Sequence, residues 1–149
     1  MKILFVCTGN TCRSPMAQVM AAQLFGEEVT VISAGVMAEP NSGASANAVA
    51  VMKERQIGLT GHKAQLLTEA LLESADLVLT MTTSHKAAIC QGSAVDKVYT
   101  LGEYAGCNVS VSDPYGGGIE VYRACADEIY ELLLKIRDKV KKCREDKVE

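Results

Sequence analysis

The first apolar run of the chain, Ile3-Leu4-Phe5-Val6, is short and continuous and lies between polar residues, the pattern of a strand buried on both faces. Comparable runs predict further strands, giving 2–6, 29–33, 75–80 and 97–100 in all. Between them apolar residues recur at helical steps, which predicts helices over 15–25, 44–56, 66–74 and 82–90. Alternating strands and helices imply a parallel sheet with crossover helices on both faces. The clearest helical period comes last, with Ile119, Tyr122, Ala126, Ile129, Leu133, Ile136 and Val140 on one face. Lys139, Lys141, Lys142 and Arg144 load its C-terminal end, where the helix dipole favours cations. Such a stripe suits a helix packed on the sheet better than a coiled coil. The expected fold is α/β: a single three-layer domain over residues 1–149, with a four-stranded parallel sheet and helices on both faces.

The junction between the first strand and the first helix carries the chemistry. Cys7-Thr8-Gly9-Asn10-Thr11-Cys12-Arg13-Ser14 fills it, and Pro15 suits the first helical position. A loop there aims backbone N–H groups and a helix N-terminus at one volume, which makes a phosphate-binding loop after strand 1. Ligands of parallel sheets bind at this end of the strands. Cys7 enters that volume, where an anionic thiolate, the nucleophilic form, is favoured. Arg13 can fork two hydrogen bonds onto phosphate oxygens. Taken singly, such a cysteine is a small hydrophobe, Gly-Asn a turn and the arginine a solvated cation. Together they suit attack on a phosphate monoester or a close relative. The leaving group then needs a proton, and Asp113, between Ser112 and Pro114-Tyr115-Gly116-Gly117-Gly118, is the candidate donor. Pro114 stiffens the chain beside the carboxylate, and the glycines allow a close approach.

Composition narrows the setting. With 48% hydrophobic and 22% charged residues in 149, the chain reads as one globular domain. A net charge of −3 argues against nucleic acid or anionic membrane as partner. No apolar stretch approaches a membrane span, and the N-terminal run lacks a signal-peptide cleavage pattern. Six cysteines without an export signal point to free thiols in a reducing compartment, hence a cytoplasmic protein. Neither the cysteines nor His62 and His85 take a metal-site spacing, so no metal or other cofactor is expected.

Cys7-x5-Arg13-Ser14-Pro15 paired with Asp113-Pro114-Tyr115 resembles the low-molecular-weight protein tyrosine phosphatase family, across essentially the whole chain. The resemblance implies a cysteine-dependent phosphatase acting through a cysteinyl-phosphate intermediate on phosphorylated proteins; the sequence does not set the oligomeric state, and a monomer is the favoured expectation. It makes Cys7 the nucleophile, Arg13 the phosphate clamp and Asp113 the general acid and then base. Ser14 matches a hydroxyl that hydrogen-bonds the nucleophilic sulfur and helps it leave. Thr8, Gly9, Asn10, Thr11 and Cys12 complete the loop. Asn10, Ser33 and His62 match residues that hold its shape; read alone they are a turn residue, a strand-end hydroxyl and a surface histidine.

Substrate choice turns on Thr11, where tyrosine-directed relatives usually carry a larger apolar residue and the branch resembling protein arginine phosphatases carries Thr. A hydroxyl at the rim discriminates more strongly than an apolar wall. The loop from Ser33 to Pro40 has no aromatic, and Gly116 stands where many tyrosine-directed members have a second one, so a phenol ring finds few walls. Tyr115 points the other way, toward the tyrosine-directed pattern. The favoured substrate is phosphoarginine in proteins, with phosphotyrosine as the alternative. The arginine branch implies a partner arginine kinase and a link to stress-response quality control. An arsenate reductase would need a close downstream cysteine pair, which the 17-residue separation of Cys90 and Cys107 does not offer. A phosphocysteine carrier would need neither Arg13 nor Asp113. Cys12, five residues from Cys7, is a candidate resolving thiol for a reversible redox switch, or else a small packed residue under the loop.

Overall fold

A computed structural model describes residues 1–91 and 96–148. The elements run β1 (Lys2–Cys7), α1 (Arg13–Phe25), β2 (Thr30–Gly35), α2 (Ala46–Glu54), α3 (Glu69–Ser74), β3 (Leu77–Thr80), α4 (Thr83–Cys90), β4 (Val98–Thr100), α5 (Leu101–Tyr104) and α6 (Ile119–Val148). The four strands form one parallel sheet in the order β2-β1-β3-β4. β1 is therefore an inner strand, and Cys7 at its carboxyl end sits opposite Gly35 of β2.

Successive β1 side chains enter opposite cores, which is why the run is continuously apolar rather than alternating. Ile3, Phe5 and Cys7 join the larger core, built with α1, α2, α5 and α6. Leu4 and Val6 join a smaller one with Ala34, Val78 and Val98, covered by Leu71 and Leu72 of α3 and Ile89 of α4. Helices thus lie on both faces of the sheet.

Several boundaries differ from the sequence expectation, each for a local reason. α1 begins at Arg13, so Pro15 is its third residue rather than its first. The missing amide is harmless there, because first-turn amides have no intrahelical acceptor; the first such bond is Met16 N to Cys12 O, at 3.3 Å. β2 runs on past Ser33 through Ala34 to Gly35, two residues beyond the expected strand 29–33. Residues 66 and 67, expected to open a helix, instead run with Gln65 beside that strand end: Gly35 N donates to Gln65 O at 3.0 Å and Leu67 N to Gly35 O at 2.9 Å. Thr68 then caps α3 by accepting from Leu71 N. α2 is trimmed to the stretch after its Ser45 cap. α5, opened by a Thr100–Glu103 capping box, had no counterpart in the sequence reading.

The α6 stripe is buried from Tyr122 to Val140, with Ile119 at its edge. The same core holds Ile3 and Phe5 of β1 and Leu77 and Leu79 of β3, so the helix packs on this face of the sheet, with α1, α2 and α5 as its neighbours within the layer.

Gly35 is where the fold meets the loop that follows β1. A Cβ on it would lie 2.5 Å from Thr8 O and 2.8 Å from Asn10 N, inside contact distance of backbone atoms that cannot rotate away. Gly35→Ala is expected to destabilise the protein by about 2 kcal/mol, the scale of overpacking a close-fitting site. Denaturant unfolding measures it; an unchanged midpoint would show that the loop lifts off the strand at no cost.

Candidate active site

Between β1 and α1 the chain must turn back within a few residues, and Asn10 makes this feasible. Its φ of 56° is left-handed, a conformation asparagine tolerates better than most residues. Its side chain is fully buried and uses both ends: Nδ2 donates to Ser14 Oγ at 2.8 Å and to Ser33 Oγ at 2.9 Å, while Oδ1 accepts from Gln65 N at 3.0 Å. His62 Nε2 lies 2.7 Å from the Asn10 carbonyl oxygen. Asn10, Ser33 and His62 are therefore together, from three separate segments. Gln18 and Gln65, which sequence reasoning missed, complete the network. Ser33 Oγ donates to Gln18 Oε1 at 2.6 Å, and Gln65 Nε2 donates to Ser33 O at 2.9 Å. No local pattern marks either glutamine, since both matter only through contacts distant in sequence.

Cys7 Sγ lies 2.9 Å from Ser14 Oγ, and both are buried. Because Asn10 already donates to Ser14 Oγ, the serine's own hydrogen is left for the sulfur. Arg13 is also buried, at 4% exposure. Its Nη1 donates to Val111 O at 3.0 Å and its Nη2 to Thr8 Oγ1 at 3.4 Å. Asp113 Oδ2 stands 3.6 Å from the same Nη2, and its Oδ1 accepts from Tyr115 N at 3.0 Å, which fixes the carboxylate's direction. A cavity of about 250 Å³ opens here, lined by Cys7, Thr8, Gly9, Thr11, Cys12 and Arg13 on the loop and by Asp113 and Tyr115 across from it. Tyr115 is 80% exposed, a ring standing free at the rim.

Cys12 faces away from open solvent, with Tyr122 OH at 3.3 Å and Ser45 Oγ at 3.5 Å. Burial, then the bond to Cys12, raise the Tyr122 phenol above its ordinary value. Cys125 is buried nearby, and burial pushes its thiol up to about 12. All six cysteines are free thiols.

His85 was not among the residues expected at this site. It is 6% exposed at the start of α4, with Nε2 2.9 Å from Thr8 Oγ1 and Nδ1 3.1 Å from Thr82 Oγ1. Burial and then the Arg13 charge pull it down to about 4, against a smaller opposing effect of Asp113. Nothing in the sequence around it points to the loop.

Among the described residues no three His, Cys, Asp or Glu side chains gather as a metal would need, and no helix is long and apolar enough to cross a membrane. The arrangement offers a buried thiol with a hydroxyl donor, a fixed guanidinium and an exposed carboxylate around one small volume. That equipment can hold a phosphoryl group, attack it and move a proton at the far side.

Residues 2–146 match the family model for low molecular weight phosphotyrosine protein phosphatase. A protein-arginine-phosphatase of Bacillus subtilis (strain 168) is 49% identical over 150 residues, covering 97% of this chain and 99% of the relative. The low molecular weight protein-tyrosine-phosphatase PtpB of Staphylococcus aureus is 41% identical over 139 residues, covering 93% and 98%. Among solved structures, a cysteine-to-serine mutant of the YwlE arginine phosphatase with a phosphorylated active-site serine matches with a TM-score of 0.89. It is 48% identical, with 97% of this chain and 99% of that one covered. With its fold, its loop and nearly its whole length accounted for, the chain belongs to the low molecular weight phosphotyrosine protein phosphatase family.

Proposed function

We propose that this protein is a cytoplasmic protein-arginine-phosphatase, one catalytic unit over residues 1–149, working as a monomer on phosphorylated proteins. The observation that carries the reading is the single cavity that Cys7, Arg13 and Asp113 share with Thr11. The arginine phosphatase relatives support the choice of substrate.

In the first step Cys7 Sγ, as thiolate, attacks phosphorus while the P–N bond to the substrate arginine breaks. Asp113, as the acid, gives its proton to the departing nitrogen, so the leaving group is an ordinary guanidinium. Arg13, kept in place by Val111 O and Thr8 Oγ1, exchanges its contact with Asp113 for the phosphoryl oxygens and neutralises their charge. In the second step Asp113, now a carboxylate, takes a proton from water as that water attacks the phosphocysteine. The P–S bond breaks, and the Ser14 hydroxyl donates to the sulfur that leaves as thiolate. The remaining loop residues, Gly9 and Cys12 among them, supply backbone N–H groups to the phosphate. Asn10, Ser33 and His62 keep those groups aimed.

Thr11 gives the rim a hydroxyl suited to a guanidinium N–H. Asp113, once it has given up its proton, can pair with the same guanidinium. Tyr115 favours the second reading, phosphotyrosine, because its exposed ring could stack on a phenol.

The ratio of kcat/KM for a phosphoarginine peptide to that for a matched phosphotyrosine peptide decides between them. It is expected above ten, or ~1.4 kcal/mol of transition-state preference; a ratio below one would make this a tyrosine phosphatase. Thr11→Ile is expected to move the ratio toward phosphotyrosine, and no movement would assign selectivity to the aromatic-poor rim. Asp113→Ala should lower kcat by about 10²-fold or more and allow a phosphocysteine to be trapped. Trapping in the wild type as readily as in the variant would instead indicate a phosphocarrier. Peroxide should inactivate the enzyme through a Cys7–Cys12 disulfide that dithiothreitol reverses; irreversible loss with no such disulfide by mass spectrometry would rule the switch out.

A further inference from the structure

The loop after β1 is held from two sides, and only one of them belongs to the network around Asn10. On the β3 side the bracing group is His85. Its mounting is firm: Thr82 Oγ1 accepts from His85 N at 3.3 Å and faces Nδ1, and Thr80 Oγ1 donates to Thr82 O at 2.9 Å. Between them, Met81 N donates to Val6 O at 3.0 Å and Met81 O accepts from Val111 N at 2.9 Å. The histidine is thus tied to the residue just before Cys7 and to the residue whose carbonyl holds Arg13 Nη1.

From that mounting a short chain of polar atoms reaches the guanidinium: Thr82 Oγ1, His85 Nδ1 and Nε2, Thr8 Oγ1, Arg13 Nη2. Whichever ring nitrogen carries the proton, Thr8 Oγ1 keeps a lone pair for Arg13. We propose that His85 is a positioning residue for phosphate binding: through Thr8 it sets the direction in which Arg13 presents its second nitrogen to the phosphoryl group. A neutral brace suits the task. A carboxylate in its place would compete with phosphate for Arg13, and an imidazolium would repel Arg13. Burial and the neighbouring Arg13 keep the ring in its neutral form, and the charged groups facing it are Arg13 and Asp113.

This inference rests on the reading of the loop as a phosphate site, and a double-mutant cycle tests the two separately. The probes are inorganic phosphate as competitive inhibitor and a phosphoarginine peptide as substrate, on wild type, Thr8→Val, His85→Ala, the double variant and His85→Gln. Thr8→Val and His85→Ala are each expected to raise the phosphate inhibition constant and KM about fivefold, the scale of one hydrogen bond, with a smaller fall in kcat. The double variant should be no worse than either single one. His85→Gln, whose amide places a polar atom near the Nε2 position, should recover most of the loss. Effects that multiply in the double variant, or an inhibition constant unmoved by Thr8→Val, would overturn the proposal. Thr8→Val preserves side-chain volume, so it keeps the test open if His85→Ala fails to fold. A wild type that neither hydrolyses the peptide nor binds phosphate would overturn the functional reading instead.

Acid unfolding adds a readout. Between pH 6.5 and about 4 the unfolded chain takes up a proton on this histidine that the folded protein refuses, so wild-type stability falls as pH drops through that window. His85→Gln should flatten that part of the stability profile. An unaltered slope would mean that the ring is not held neutral, and the brace would fail with it.

Discussion

The site depends on the buried side chain of Asn10. A tight loop wrapped around an anion site cannot satisfy its polar groups by regular secondary structure, because its amides must stay free to face the ligand. Something else must fix its shape. One asparagine does so by spending every polar atom of its amide on partners from α1, β2 and the segment before α3. A buried amide missing one of those partners would cost on the order of 1–3 kcal/mol, so the network holds or fails as a unit. The left-handed backbone of Asn10 and the bare Cα of Gly35 beneath it are two sides of the same constraint.

A second regularity is the charge of the supporting groups. Asn10, Ser14, Ser33, Gln18, Gln65, Thr8 and Thr82 are uncharged, and His85 is pulled well below its ordinary value. The charges lining the cavity belong to Arg13 and Asp113. Neutral supports leave the field of the cavity to Arg13 and Asp113. The same logic explains why a carbonyl, Val111 O, holds Arg13 Nη1: it orients the guanidinium without cancelling it.

Much of this was legible in the chain. β1 is visible because it is buried on both faces, α6 because its stripe recurs over many turns, and the loop because a nucleophile, a turn and a cation stand together at a strand-to-helix junction. Sequence reading fell short where tertiary contacts override local preference. The end of β2 contains Ser33 and Gly35, poor strand formers, and persists because Cys7 pairs with Gly35 and residues 65–67 run along its other side. Pro15 fits the third helical position as well as the first, so it marks a helix start only to within a turn. His85 was unreadable for a plainer reason: 77 residues separate it from Thr8, and only the order of the strands brings them together.

The placement of Cys7 has a further consequence. It ends a strand whose four preceding side chains have no exposure at all, in the interior of the sheet. Segments of that kind open only when the whole domain opens. A fraying helix end elsewhere in the chain therefore does not unseat the thiol, and small oxidants reach it through the cavity. The Cys7 sulfur is shielded by cooperativity as well as by sterics, and it remains concealed from everything except what fits the cavity for as long as the protein stays folded.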